Sequence, residues 1–159
     1  HRALELIHFA EISGYDDIVK ELDRIREEKR MQETAIDMVY PGVLTKFFHS
    51  DIAARMKQAD RNGKLRKESQ FVVGIPAREM NKADSDALIL LQGIIDAFFE
   101  EDGKLVLVDY KTDYVENSDI LIRRYEAQVR YYTRALEQMT GKRVAERYLY
   151  SFRFGAIEV

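Results

Sequence analysis

The sequence predicts an α/β fold: a central mixed β-sheet flanked by helices, with a helical first third. Three observations carry that expectation. Apolar residues recur at helical spacing through residues 1–60, and from Lys64 the period changes to strand-like alternation. Two apolar runs, Leu88 to Phe99 and Lys104 to Tyr110, flank Glu101-Asp102-Gly103, a hairpin signal. A long helical stretch and one more strand follow, which is the order of a sheet with helices packed on its faces.

The elements can be justified in order. Leu4, Leu6 and Ile7 give His1 to Phe9 a helical pattern, broken by Ser13-Gly14. Tyr15 to Met31 reads as a charged amphipathic helix with Ile18, Leu22 and Ile25 on its apolar stripe. Thr34 to Val39 supplies another turn or two of helix. Pro41-Gly42 ends that piece and starts a helix burying Val43, Leu44, Phe47 and Phe48. Ser50-Asp51 caps Ile52 to Ala59, and Asp60 to Gly63 is a turn. Lys64 to Pro76 is the first strand and Ala77 to Asp86 a polar loop. After the hairpin, Asn117-Ser118-Asp119 offers an N-cap for a helix through Met139, stopped by Gly141. Val144 to Phe152 returns to strand alternation, and Gly155 permits a turn before Ala156 to Val159.

Composition bounds the function. The 159 residues, 46% of them apolar, fit a single domain, with 1–60 its helical part and 64–159 its α/β core. Lys and Arg number 25 against 28 Asp and Glu, so no global positive field announces a nucleic-acid binder. The absence of cysteine excludes disulfides, thiolate zinc sites, iron–sulfur clusters and a cysteine nucleophile. No apolar run approaches the roughly 20 residues that span a bilayer, and the N-terminus lacks signal-peptide order. A chain opening on His1 and running straight into a helix reads as part of a larger polypeptide.

The chemistry lies in the hairpin. Each of its strands carries an aspartate where an apolar strand should have none: alternation puts Asp96 on a face with Ile94 and Phe98, and Asp109 and Lys111 on one with Leu105 and Leu107. Unpaired buried carboxylates are strongly unfavourable, so these groups should be paired, hydrogen-bonded or bound to a cation. Two carboxylates from neighbouring antiparallel strands can converge on one hard divalent ion such as Mg²⁺. Lys111, two residues beyond Asp109, reaches the same face. There its ammonium can orient water and stabilise charge growing on phosphate oxygens, a combination suited to phosphodiester hydrolysis.

Gln92-Gly93-Ile94-Ile95-Asp96, then Val108-Asp109-Tyr110-Lys111-Thr112-Asp113, then Tyr125-Glu126-Ala127-Gln128 with Tyr132, resemble the PD-(D/E)xK nucleases. Within them they are similar to the nuclease domain of bacterial AddAB and RecBCD helicase–nucleases, and the helical first third looks like the AddA version. The resemblance covers roughly Glu68 to Tyr150. It implies a restriction-endonuclease-like core and a Mg²⁺-dependent exonuclease acting on linear DNA, leaving 5′-phosphate ends, in double-strand break processing and recombinational repair. Mn²⁺ would substitute, and no iron–sulfur cluster is implied in this chain. Asp96, Asp109 and Lys111 would be the acidic pair and lysine; Gln128 and Tyr132 would be the QxxxY positions that line the site. His1 occupies the position of a metal-ligating histidine on the first helix, and Glu68 that of a glutamate found ahead of the first strand's core. Implied partners are DNA, single-stranded or as duplex ends, a helicase part of the same polypeptide and an AddB-like subunit; the setting is the bacterial cytoplasm, without a membrane.

Plainer readings stand beside these. Asp109 and Lys111 could be a solvated pair at a strand end, Gln128 and Tyr132 ordinary packing residues, and His8 and His49 structural histidines. Arg61, Lys64, Arg66 and Lys67 form a basic cluster within reach of phosphates or simply a solvated face. The alternative function is a degenerate nuclease fold that binds DNA or a partner without cleavage. A stand-alone repair or restriction nuclease is a second rival.

Overall fold

A computed structural model describes residues 1–80 and 87–159 of the chain. Five helices come first: α1 (Arg2–Leu6), α2 (Tyr15–Glu27), α3 (Glu33–Asp37), α4 (Pro41–Phe48) and α5 (Asp51–Arg61). Then follow β1 (Leu65–Pro76), β2 (Leu88–Glu101), β3 (Lys104–Lys111), α6 (Ser118–Thr140), β4 (Val144–Ser151) and β5 (Gly155–Glu158). The strands form one sheet in the order β1-β2-β3-β4-β5. All neighbours are antiparallel except β3 and β4, which run parallel with α6 as their crossover. The sheet is therefore mixed, as expected. Of the predicted polar loop, Ala77–Met80 forms a short 3₁₀ turn, and 81–86 lie outside the described residues.

The boundaries have local causes. Ser50 Oγ accepts from Ala53 N–H at the start of α5, and Asn117 Oδ1 from Ile120 N–H at the start of α6. Gly141 closes α6 at φ 69°, the left-handed conformation that suits glycine. Asp102 and Gly103 both have positive φ, which matches the twist of a tight hairpin.

Two helices are shorter than their patterns predict. α1 stops at Leu6, and Phe9–Glu11 is a separate 3₁₀ turn. Side chains from elsewhere satisfy the carbonyls at the end of α1: Lys67 Nζ donates to Ile7 O (2.6 Å) and Leu4 O (3.4 Å), Arg24 Nη2 to Leu6 O (2.8 Å). α2 ends at Glu27, before Lys29 turns to φ 53°. Ala156 to Val159, expected to follow a simple turn, instead adds β5 to the edge of β4.

Helices cover both faces of the sheet. On one, α1, α2, α4 and α5 close over Leu65, Ala97, Phe99, Val106, Val108, Tyr110 and Tyr150. Phe47, fully buried, meets Phe9, Phe48, Tyr110 and Tyr150 edge to face. Removing so central a ring would destabilise the fold by about 3–5 kcal/mol. On the other face α6 packs Leu121, Val129 and Leu136 against Phe71, Ile95, Leu105, Leu107 and Leu149.

β1 and β2 change faces part-way along. Leu65 packs under the helical third, whereas Phe71, Val73 and Ile75, of the same parity, pack under α6. Likewise Ala97 and Phe99 face the helical third, but Ile95 faces α6. The inversion falls at Glu68 on β1, where φ is 50°, and at Asp96 on β2, between the pairs Lys67↔Ala97 and Ser69↔Ile95. Ile94 and Phe98 consequently lie on opposite faces, Ile94 open to solvent and Phe98 against α6. The expectation that both share a face with Asp96 fails because strict alternation ends at this residue.

Candidate active site

The site forms where β2 and β3 part. Their ladder runs from Glu101↔Lys104 to Ala97↔Val108. At the next position the Asp96 carboxylate replaces the main chain, with Oδ2 accepting from Tyr110 N–H at 2.8 Å. The opening lies between α6 and the start of the chain. β3 keeps strict alternation, so Asp109 and Lys111 project with Leu105 and Leu107 toward α6, as the sequence predicts, while Tyr110 points into the helical third.

Lys111 is gripped from three sides. Its Nζ lies 2.7 Å from Asp109 Oδ2, donates to Gln128 Oε1 at 2.9 Å and sits 3.9 Å from the centroid of the Tyr125 ring. Gln128 uses its other end to donate to the Tyr132 hydroxyl at 3.0 Å. Tyr132 meets Phe71 edge-on at 5.5 Å. Both rings lie over Gly93, where a Cβ would come within 2.9 Å of Phe71 and 3.8 Å of Tyr132. Glycine is required there by close approach rather than by backbone conformation.

Burial dominates the electrostatics. The Asp109 side chain is 4% exposed and that of Lys111 10%. Burial pushes the Asp109 carboxyl up to about 7; Lys111 opposes the rise, and Asp96 adds to it by charge and hydrogen bond. Burial also raises Glu68, across from Asp96, whose charge adds to the effect. Tyr132 is raised to about 12, by burial first and then by Asp109 and Asp96, so its hydroxyl keeps its proton. Among the described residues, two buried side-chain oxygens lack a hydrogen bond, Asp109 Oδ2 and the Tyr110 hydroxyl, and both are here. The Asp109–Lys111 contact is thus a charge pair off the hydrogen-bonding direction.

All five residues singled out from the hairpin and the following helix converge: Asp96, Asp109, Lys111, Gln128 and Tyr132. His1 joins them at the rim, with Nδ1 3.7 Å from Asp96 Oδ2, its ring edge-on to Tyr110 and its side chain 41% exposed. Sequence reasoning placed Tyr125 in the motif that contains Gln128 but gave it no role in the site. Its hydroxyl donates to Asp113 Oδ1 (2.9 Å) and Oδ2 (3.0 Å), and Arg124 Nη1 holds the same carboxylate at 2.6 Å.

Two other groupings have structural explanations. His8, Glu11 and Glu21 bring ligand-type atoms within 4.8 Å of one another. Arg24 already holds both Glu21 oxygens, however, and His8 N–H donates to Oε2, so a cation would have to displace a formed ion pair. In the basic cluster, Lys67 ends α1 over the Phe9 ring and Arg66 bonds the carbonyls of Gly63 and Leu65. Lys67 is therefore not available to phosphates. Among the described residues no helix is long and apolar enough to cross a membrane.

The chain is 34% identical to the A-type subunit of the ATP-dependent helicase/nuclease of Lachnoclostridium phytofermentans, over 98% of this chain and 14% of that protein. It is 35% identical to the subunit of the same name from Clostridium kluyveri, over 96% of this chain and 12% of that protein. The chain spans about an eighth of the length of these curated relatives. The crystal structure of SSO0001 superposes with a TM-score of 0.43 at 16% identity, over 87% of this chain and 60% of that one. The family model described as the PD-(D/E)XK nuclease superfamily matches residues 1–157, the helical third as well as the sheet. From one end of the described fold to the other, this chain belongs to the PD-(D/E)XK nuclease superfamily.

Proposed function

We propose that this chain is a metal-dependent deoxyribonuclease that hydrolyses phosphodiester bonds of linear DNA as an exonuclease. Its setting would be double-strand break processing and recombinational repair in the bacterial cytoplasm. It would act as one nuclease domain beside a helicase part of the same polypeptide and an AddB-like subunit. The observation that carries the reading is the convergence of Asp96 and Asp109 with Lys111 at the parting of β2 and β3. The similarity to helicase/nuclease subunits supports the setting.

The donor set suits a hard divalent cation. Two carboxylates face each other in a largely buried place, and Asp109 Oδ2 has a lysine beside it but no aligned hydrogen bond. Asp96 and Asp109 would hold Mg²⁺, or Mn²⁺ in its place, with His1 at the rim as a further ligand. When bound, the ion would acidify water and offset phosphate charge.

The remaining work falls to the chain. Lys111 donates one N–H to Gln128 and holds Asp109 by charge rather than by an aligned hydrogen bond, so its remaining N–H groups are the donors for the attacking water or a phosphate oxygen. Tyr132 accepts from Gln128, so its own O–H is left to donate, and its raised pKa keeps it a donor at neutral pH. Gln128 thereby sets the positions of both groups.

The test is digestion of end-labelled linear single- and double-stranded DNA with Mg²⁺, without it, and with chelator. Cleavage should require the metal. Lys111→Ala should retain Mn²⁺ binding by isothermal titration while losing about 10²–10³ in rate, as when one transition-state donor is removed. Equal cleavage by wild type and Asp109→Ala, in preparations free of contaminating nuclease, would sink the reading.

A further inference from the structure

The residues just past the site carry an unexplained arrangement. Tyr114, three positions beyond Lys111, is 88% exposed, so its ring is not there to fill a core. The Arg153 guanidinium lies over it, 4.4 Å from the ring centroid, and also 5.2 Å from the centroid of the Phe154 ring, which is 37% exposed. Arg153 pairs with no carboxylate among the described residues; its Nη1 instead donates to Val115 O at 2.6 Å, which fixes the plane of the guanidinium. A positive charge held between two exposed rings, with no carboxylate partner among the described residues, suits a ligand that is anionic and has flat faces.

This arrangement is tied to the site through main chain. Lys111 pairs with Ser151 across β3 and β4, and Phe152 N–H donates to Lys111 O at 3.4 Å. The buried Ser151 hydroxyl then accepts from Arg153 N–H (3.2 Å) and Phe154 N–H (3.3 Å), which fixes the turn into β5. A cleft of about 390 Å³ adjoins the turn at Phe152 and Thr112 and reaches His1 at the other end. The turn that carries Arg153 and Phe154 is therefore joined through main chain to the strand end that carries Lys111.

We propose that Tyr114, Arg153 and Phe154 are a stacking platform for unpaired bases of single-stranded DNA, placing the strand for cleavage beside Lys111. The part about cleavage rests on the nuclease reading above; the binding part does not. Every base offers a π-face to stack, so such a platform tolerates any sequence, and a duplex keeps those faces covered.

The chain contains no tryptophan, so Tyr114→Trp introduces a single reporter. With Ca²⁺ in place of Mg²⁺, a twelve-residue oligothymidylate should quench its emission, whereas an abasic strand of equal length and a blunt duplex should not. Tyr114→Ala and Phe154→Ala should each weaken oligothymidylate binding about tenfold by fluorescence anisotropy. Both should leave Mg²⁺-dependent cleavage of the abasic strand, which has no base to stack, at the wild-type rate. Equal quenching by the abasic strand, or unchanged binding by Tyr114→Ala, overturns the platform. If wild type cleaves neither strand while base-dependent quenching persists, the platform is upheld and the nuclease reading fails.

Discussion

Tyr125 offers the most direct test of how Lys111 is held. The ammonium sits 3.9 Å from the ring centroid and the lysine side chain is only 10% exposed, so the cation–π contact is largely desolvated. In that setting the contact contributes about 1–2 kcal/mol. If the ring holds Lys111 where the transition state needs it, Tyr125→Leu should lower kcat about 5- to 30-fold. KM for a short single strand should hardly move, because the ring acts on Lys111 and not on DNA. Tyr125→Phe separates the ring from its hydroxyl. It keeps the face over Nζ and loses the bonds to Asp113, so stability should fall by about 1 kcal/mol in urea while kcat stays within about threefold. Initial rates on end-labelled single strands, with urea melts of each variant, measure both effects. Full kcat in Tyr125→Leu would refute the positioning role. So would a Tyr125→Phe variant as impaired as Tyr125→Leu, since the damage would then come from the hydroxyl.

Two further outcomes follow from the geometry. Gly93→Ala would put a Cβ 2.9 Å from the Phe71 ring and should reduce stability by about 1–3 kcal/mol. It should also slow cleavage through the displaced Tyr132; a stability loss with unchanged rate would mean Phe71 moves away without disturbing Tyr132. Glu21 links stability to pH: burial raises its pKa, but the Arg24 and His8 hydrogen bonds outweigh burial, and the net folded value is lowered. A depressed carboxyl contributes stability above its ordinary range and loses it as pH falls through the folded value. Glu21→Gln should therefore cost about 1–3 kcal/mol at pH 7 and flatten the acid limb of a urea-stability profile; an acid limb identical to wild type would exclude Glu21 as its source.

What could be read from the sequence was what depends on neighbours in the chain. Asn117 and Gly141 bound α6 through caps that act within one turn, and Asp102-Gly103 closes its hairpin by its own dihedral angles. The placement of Asp109 and Lys111 followed from alternation because β3 is regular to its last residue. The misreadings were made by contacts from afar. α1 is cut short by Lys67 and Arg24, residues 60 and 18 positions from the carbonyls they bond. The change of face on β1 and β2 depends on Glu68 adopting a left-handed conformation, which no glycine announces. Tyr125 lay on the right helical stripe, but its role emerges only when the crossover brings α6 over the end of β3.

The change of face also governs how variants at the acidic pair must be interpreted. Asp96 occupies the inversion and its carboxylate accepts from Tyr110 N–H, where the β2–β3 ladder would otherwise continue. Removing that carboxylate leaves a backbone donor unpaired at the root of β3, a loss of about 1–3 kcal/mol that also frees the strand bearing Asp109 and Lys111. Inactivity of an Asp96 variant therefore cannot separate loss of a ligand from loss of the strand's position. Asp109 engages the side chains of Lys111 and Asp96, so its truncation acts on the ion pair and the facing carboxylate without opening the ladder. Lys111 separates the two functions further, because its removal leaves both carboxylates in place. Of the three, Lys111 is the residue at which the proposed metal binding and the proposed catalysis would be measured apart.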